Sequence, residues 1–257
     1  MLGDVVGKIG REAVETMLPT LHDMYAPDFV VVNGENAAAG LGITPDIARR
    51  LLDAGVDAIT LGNHTWHKRD ILDYLDCEPR LLRPANFPTG APGKGYGVFR
   101  CRTGGRVGVA NLQGRVFMDP LDDPFRLADT ILEAFRPQTP VSLFDFHAEA
   151  TSEKKAFGYY VDGRASVVVG THTHVQTADE RLLPGGTAYI TDVGMVGPQE
   201  SVLGMNPQES VQKFVTQLPH RFEVAEGAVV LCGIVADVDA ATGRAGHIER
   251  VQIRDIF

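Results

Sequence analysis

The chain has 257 residues, 44% of them apolar, and a formal net charge of −9 with histidine neutral. That length provides one large domain or two small ones, with ample chain to bury a core. The acidic balance, with no Lys/Arg cluster to offset it, argues against a general nucleic-acid or membrane-surface binder, and no apolar run approaches the ~20 residues that a membrane-crossing helix needs.

In chain order, the first landmark is Asp4, preceded only by Met1, Leu2 and Gly3. A carboxylate ending a first strand should follow roughly five apolar residues. The expectation is therefore a very short strand, or a chain that lacks its natural beginning. A phosphate-loop reading of Gly3 to Lys8 fails: the spacing is one residue short, and Ile9 stands where Ser or Thr is required. Phe29-Val30-Val31-Val32 reads as a buried strand leading to Glu35 and Asn36. The small-residue loop from Ala37 to Gly42 then lets a ligand come close to the backbone. Thr44-Pro45 caps a helix whose inner face carries Ile47, Leu51 and Ala54, with Gly55 after its end. A strand through Ile59 and Leu61 follows, and Gly62 permits a sharp turn into Asn63 and His64. Asp123-Pro124 opens a second helix with Leu127, Ile131 and Phe135 inward, and Pro137 closes it. Val141 to Phe144 leads to His147, and Ser152 caps a short helix through Lys155. Ser166 to Val169 runs into Gly170-Thr171-His172-Thr173-His174, whose two histidines share one side of an extended backbone. Thr187 to Thr191 is a strand; Val229 to Val238, Gly243 and Ile248 to Ile253 form a β-hairpin. Such βα units followed by hairpins predict an α/β protein of two mixed sheets packed together with helices outside. No repeat, low-complexity tract or linker divides residues 1–257, so a single domain is expected.

Asp4, Glu35, Asn36, Asn63, His64, His147, His172 and His174 all follow apolar, β-rich runs. In open α/β sheets, ligands bind beyond the carboxyl ends of strands. Each residue also has an ordinary reading: a turn aspartate, a loop cap, a satisfied core histidine. Their convergence favours a two-metal site. His22, His67, His220 and His247 fit no such pattern; His22 and His220 read as surface, and His67 lies near enough in sequence to support the site. Cys77, Cys101 and Cys232 are odd in number and lack finger spacing, which suits reduced thiols in a cytoplasmic protein.

The ordered set GD, GEN, GNH, H and GTHTH resembles the calcineurin-like metallophosphoesterases. Longer runs narrow the likeness: Gly3-Asp4-Val5-Val6-Gly7-Lys8, Asn33-Gly34-Glu35-Asn36-Ala37-Ala38, Leu61-Gly62-Asn63-His64-Thr65-Trp66, Gly114-Arg115-Val116-Phe117-Met118, Asp145 through Lys154, and Gly170-Thr171-His172-Thr173-His174-Val175. These look like the bacterial YmdB-type phosphodiesterases, from residue 3 through Thr191-Asp192-Val193-Gly194-Met195 and more weakly to the end. The resemblance implies a calcineurin-like four-layer sandwich and two transition-metal ions, iron or manganese. It also implies hydrolysis of phosphodiesters, including 2′,3′-cyclic nucleotides, by a metal-bridging hydroxide. Carried onto this chain, Asp4 and His174 would bind one metal, with Asn36 a candidate beside them. Asn63, His147 and His172 would bind the other, Glu35 would bridge, and His64 would stand over the phosphate. Two positions depart from the broad superfamily: Val6 stands where a histidine is usual, and Glu35 replaces the usual bridging aspartate. Thr65 after His64 is not the acidic residue common elsewhere, which leaves His64 without a carboxylate partner from that position.

The implied partner is a small anionic phosphodiester or nucleotide, with neither membrane nor stable nucleic-acid complex expected and a homo-oligomer left open. Two other classes compete. A metal-dependent amidohydrolase also uses His-x-His, but usually on the first strand of a barrel, whereas here the motif comes late. A non-catalytic nucleotide sensor on the same fold would keep the ligands without turnover.

Overall fold

The computed structural model describes all 257 residues. The elements in order are β1 (Leu2–Val5), α1 (Gly7–Tyr25), β2 (Val31–Asn33), α2 (Pro45–Asp53), β3 (Ala58–Thr60), α3 (Ile71–Cys77), β4 (Leu81–Leu82), β5 (Tyr96–Arg100), β6 (Arg106–Gln113), α4 (Pro124–Phe135), β7 (Ser142–His147), α5 (Thr151–Val161), β8 (Val167–Thr171), β9 (Arg181–Leu182), β10 (Ala188–Ile190), β11 (Met195–Pro198), α6 (Pro207–Thr216), β12 (Val229–Val238) and β13 (Ala245–Ile256). They build one sheet ordered β13-β12-β11-β1-β2-β3-β4 and a second ordered β5-β6-β7-β8-β10-β9. The centres are parallel: β11, β1, β2, β3 and β4 in the first sheet, β6, β7, β8 and β10 in the second. The edges are antiparallel.

Strand periodicity divides the core into layers. On β2, Val32 faces the helix layer with Leu18 of α1 and Leu51 of α2, while Val31 turns toward the second sheet with Val107 and Val109 of β6. On β6, Ala110 and Leu112 face Ile131 of α4 and Phe157 of α5. On β8, Val168 joins those helices, whereas Val167 and Val169 meet Ile234 of β12 and Ile248 of β13. Helix, sheet, sheet and helix therefore stack in four layers. Strands buried on both faces explain the near-continuous apolar runs.

The helix over Pro45–Asp53 forms as expected. Thr44 Oγ1 accepts the Ile47 amide at 3.4 Å, and Gly55 takes φ 112° just past the end. Its buried face is Ala48, Leu51 and Leu52, while Ala54 is exposed, one step off the expected stripe. Asp123 caps α4 through the amides of Phe125 and Arg126. The helix expected from Ser152 to Lys155 instead spans Thr151–Val161, with Ala150 at its cap position and no side-chain cap.

A cavity of about 470 Å³, lined among others by Met1, Phe29, Val31, Val141, Leu143 and Val235, holds none of the eight candidate site residues. No helix is long and apolar enough to cross a membrane.

Candidate metal centre

The candidate residues collect where both sheets end. Asp4 lies in β1. Glu35 and Asn36 follow β2, Asn63 and His64 follow β3, His147 closes β7, and His172 and His174 follow β8. The parallel strands put all these ends on one rim, and His147 Nε2 reaches Glu35 Oε1 across the sheets at 2.9 Å. The same nitrogen lies 2.9 Å from Asn63 Oδ1 and 3.1 Å from His172 Nδ1. Asp4 reaches the group through its Oδ2, which accepts the His172 amide at 3.3 Å, and through its Oδ1, 3.8 Å from His174 Nε2. Asn36 sits against His64: its Nδ2 donates to Gly40 O at 2.9 Å and lies 3.2 Å from His64 Nδ1. His67 is exposed and meets the His64 ring edge-on at 4.8 Å.

Each of the three histidines has one nitrogen tied to an acceptor and the other turned inward. His147 Nδ1 lies 2.8 Å from Thr171 Oγ1, His172 Nε2 3.1 Å from Glu149 Oε2, and His174 Nδ1 2.9 Å from Leu203 O. This is the arrangement by which a protein fixes an imidazole tautomer for a cation. The inner oxygens fit it. Asp4 Oδ1, Glu35 Oε1 and Asn36 Oδ1 are buried without a hydrogen-bond partner. Glu35 Oε1 lies 2.9 Å from His147 Nε2 without the alignment of a good hydrogen bond. Buried polar atoms are otherwise paired as a rule. Gly62 leaves the space open, because a Cβ there would fall 2.3 Å from both Glu35 Oε2 and His147 Nε2. Glu35, His147 and His172 alone bring ligand atoms within 4.8 Å of one another. The donor set of carboxylate, amide oxygen and imidazole suits a transition-metal ion of intermediate hardness.

The electrostatics agree. Burial raises the Asp4 carboxyl to about 7. Burial also works against the Glu35 carboxylate, yet His147 and the His64 amide outweigh it and hold the group at about 2. Burial would lower His147, but the Glu35 carboxylate dominates and raises it to about 9. Burial and neighbouring His147 push His172 down to about 3, leaving its nitrogens neutral. A buried group of two carboxylates and three imidazoles needs countercharge, and protons or cations supply it.

A clamp holds the His172-Thr173-His174 turn. His172 and His174 both adopt left-handed backbone, φ 98° and 64°. Such conformations cost of order 1–3 kcal/mol each outside glycine. Between them, Thr173 donates its amide (3.1 Å) and hydroxyl (2.7 Å) to Asp192 Oδ2. That oxygen also accepts Lys154 Nζ at 2.7 Å, in an ion pair with both side chains 1% exposed. The loop Gly114 to Met118 borders the site: the Gly114 amide donates to His147 O, and the amides of Arg115 and Val116 bind Glu153. Sequence reasoning missed Glu149, Asp145, Thr171, Lys154 and Asp192. Their signal was proximity to the histidines, Lys154 and Glu149 within the run from Asp145 and Asp192 in the Thr191-Asp192-Val193 segment.

Comparison with known proteins matches the architecture. Residues 1–251 match the model of the YmdB-like protein family. The Bacillus subtilis 2′,3′-cyclic-nucleotide 2′-phosphodiesterase is 55% identical over 254 residues, 99% of this chain and 96% of that protein. A crystal structure of a hypothetical protein from Thermus thermophilus superposes with TM-score 0.92 at 41% identity, covering 99% of this chain and 98% of that one. The structure of a novel phosphatase from Mycoplasma pneumoniae gives TM-score 0.92 at 37% identity, covering 99% and 92%. With the family model spanning nearly the whole sequence and the fold repeated in solved relatives, this chain belongs to the YmdB-like family of phosphodiesterases and phosphatases.

Proposed function

We propose that this protein is a two-metal phosphodiesterase acting on small phosphodiesters of the 2′,3′-cyclic nucleotide class. The observation that carries the reading is the set of three histidines, each anchored on one nitrogen and open on the other, around unpartnered oxygens of Asp4, Glu35 and Asn36. The Bacillus relative supports the substrate class. Asp4 and His174 would hold one cation, with Asn36 a candidate beside them; Asn63, His147 and His172 would hold the other, and Glu35 would serve both. Iron or manganese suits these donors. Bound there, two cations supply the positive charge that neutralises a phosphodiester and acidifies a water.

The chain's own residues do the remaining work. Glu35, buried and held ionised beside His147, keeps negative charge in a site where burial alone favours the neutral carboxyl, as it does at Asp4. His64 stands at the edge, 23% exposed. Burial lowers its pKa against the pull of Glu35, so at neutral pH the ring is largely neutral. Asn36 Nδ2 donates to Nδ1, which leaves the proton on Nε2. His64 is thereby a hydrogen-bond donor toward the leaving oxygen, and a strained cyclic phosphate asks little more of it.

The test is turnover of 2′,3′-cyclic AMP by protein reloaded with Mn²⁺, with phosphodiester cleavage followed by nucleotide chromatography. Glu35→Ala and His147→Ala should abolish it while the fold survives. Near-native turnover in either variant would show that the site is misassigned. Stoichiometric binding of the cyclic nucleotide without cleavage would favour the sensor reading.

A further inference from the structure

We infer that Asp145, a residue that touches no proposed cation, is the positioning group that ties the ligands of the two sheets together and fixes which nitrogen of His147 is free. The inference rests on the reading of His147 and Glu35 as metal ligands. Asp145 is fully buried on β7. Its Oδ2 accepts Thr60 Oγ1 at 2.5 Å and Asn33 Nδ2 at 3.2 Å, both from the first sheet. Its Oδ1 accepts Thr171 Oγ1 at 2.6 Å, from β8 of the second. Two ligands hang from this hub. Asn33 Oδ1 accepts the Glu35 amide at 3.1 Å, and Thr171 Oγ1 lies 2.8 Å from His147 Nδ1.

The direction of the relay follows from counting protons. Thr60, Asn33 and Thr171 all converge on the Asp145 carboxyl, so it acts as the acceptor and Thr171 spends its one hydroxyl proton on Oδ1. The hydroxyl can then only accept from His147, which places that proton on Nδ1. Once the ring has given up its other proton, Nε2 would present its lone pair to the space between Glu35 Oε1, Asn63 Oδ1 and His172 Nδ1. The isosteric change Asp145→Asn reverses this. Two donors, Thr60 and Asn33, converge on the Oδ2 position, so the amide oxygen takes that place and the NH₂ faces Thr171. Thr171 then accepts there and donates to His147 Nδ1. That hydrogen bond favours a proton on Nε2, where a cation should bind.

Mn²⁺ affinity measured by calorimetry separates this role from packing, and the metal-free melting temperature serves as a folding control. Thr171→Val keeps the volume and loses the hydroxyl; Thr171→Ser keeps the hydroxyl and loses a methyl. The relay requires Thr171→Val and Asp145→Asn to weaken Mn²⁺ binding about 10–100-fold, with Thr171→Ser within about threefold of wild type. A packing role gives the reverse order, Ser worse than Val, and would overturn the proposal. Should Thr171→Val fail to fold, Asp145→Asn decides: wild-type Mn²⁺ affinity in that variant refutes the relay. Wild-type protein that takes up no Mn²⁺ would instead sink the metal reading itself, a failure visible before any variant is made.

Discussion

At the scale of single residues, His64 differs from its neighbours in having nothing to coordinate with. Its Nδ1 is engaged by Asn36, and its backbone amide already serves Glu35 Oε2 at 3.0 Å. His64→Ala should therefore retain the full Mn²⁺ content and lose rate. His64 offers its Nε2–H to the charge developing on the leaving oxygen, and losing one such donor costs about 10²–10³-fold, so the loss should fall in that range for diesters with alkoxide leaving groups. It should be small for p-nitrophenyl esters, whose leaving group needs no proton. Equal losses on both substrates would point to binding instead; loss of metal would make His64 a ligand. The proposed ligands themselves set a pH dependence. In metal-free protein the Asp4 carboxyl sits at about 7, raised by burial, and His147 at about 9, held up by Glu35 against burial. Both protons must leave before a cation binds, so metal affinity should rise with pH through 7 and level off above 9. Calorimetry in buffers of different ionisation enthalpy should detect proton release at pH 7.5. Uptake that is independent of pH and releases no protons would contradict the assigned ligand set.

At the scale of elements, the turn after β8 depends on a buried charge pair that the sequence conceals. Lys154 reads as an ordinary helix lysine, yet its side chain is 1% exposed, with the ammonium against Asp192. Lys154→Met would leave the buried Asp192 without its countercharge, with only the Thr173 and Gly194 donors to hold it. Breaking such a pair costs about 3–5 kcal/mol. Urea unfolding of the metal-free variant should show that loss, and Lys154→Met with Asp192→Asn should recover part of it. A loss below about 1 kcal/mol, the level of a surface pair, would mean the clamp is dispensable. The same contrast explains what could be read beforehand. The candidate site residues were legible because Asp, Glu, Asn and His stand out against the apolar strands they follow. Asp145, Thr171 and Asp192 were not, because a polar residue within or beside a strand looks alike whether it faces water or another sheet. Helices divided in the same way. Those opened by Thr44-Pro45 and Asp123-Pro124 announce themselves. The 19-residue α1 does not, since its buried stripe starts with Gly7 and Gly10, which carry no side chain, and Pro19 interrupts it. On α6 the apolar residues Val211, Phe214 and Val215 point to solvent, so the pattern there marks no core.

At the scale of the whole molecule, the site joins two separately cored layers. Asp4, Glu35 and Asn63 come with the first sheet, whose apolar core packs on α1 and α2; His147, His172 and His174 come with the second, which packs on α4 and α5. Without a cation the carboxylates and imidazoles there are partly unpaired, and Asp4 and Glu35 repel each other. A cation that draws on both groups should therefore stabilise the fold as a whole, because unfolding either sheet removes its ligands. At a free concentration about 100-fold above Kd, one bound ion adds about 2.7 kcal/mol. For a chain of this size, at about 2–4 °C per kcal/mol, the melting temperature should rise by about 5–10 °C in one cooperative transition. Scanning calorimetry of chelator-treated protein with and without Mn²⁺ measures this directly. Glu35→Ala removes the donor placed between the two positions and should shrink the shift. A Mn²⁺-induced shift confined to one of two resolved transitions would mean that the ion is held by one sheet alone.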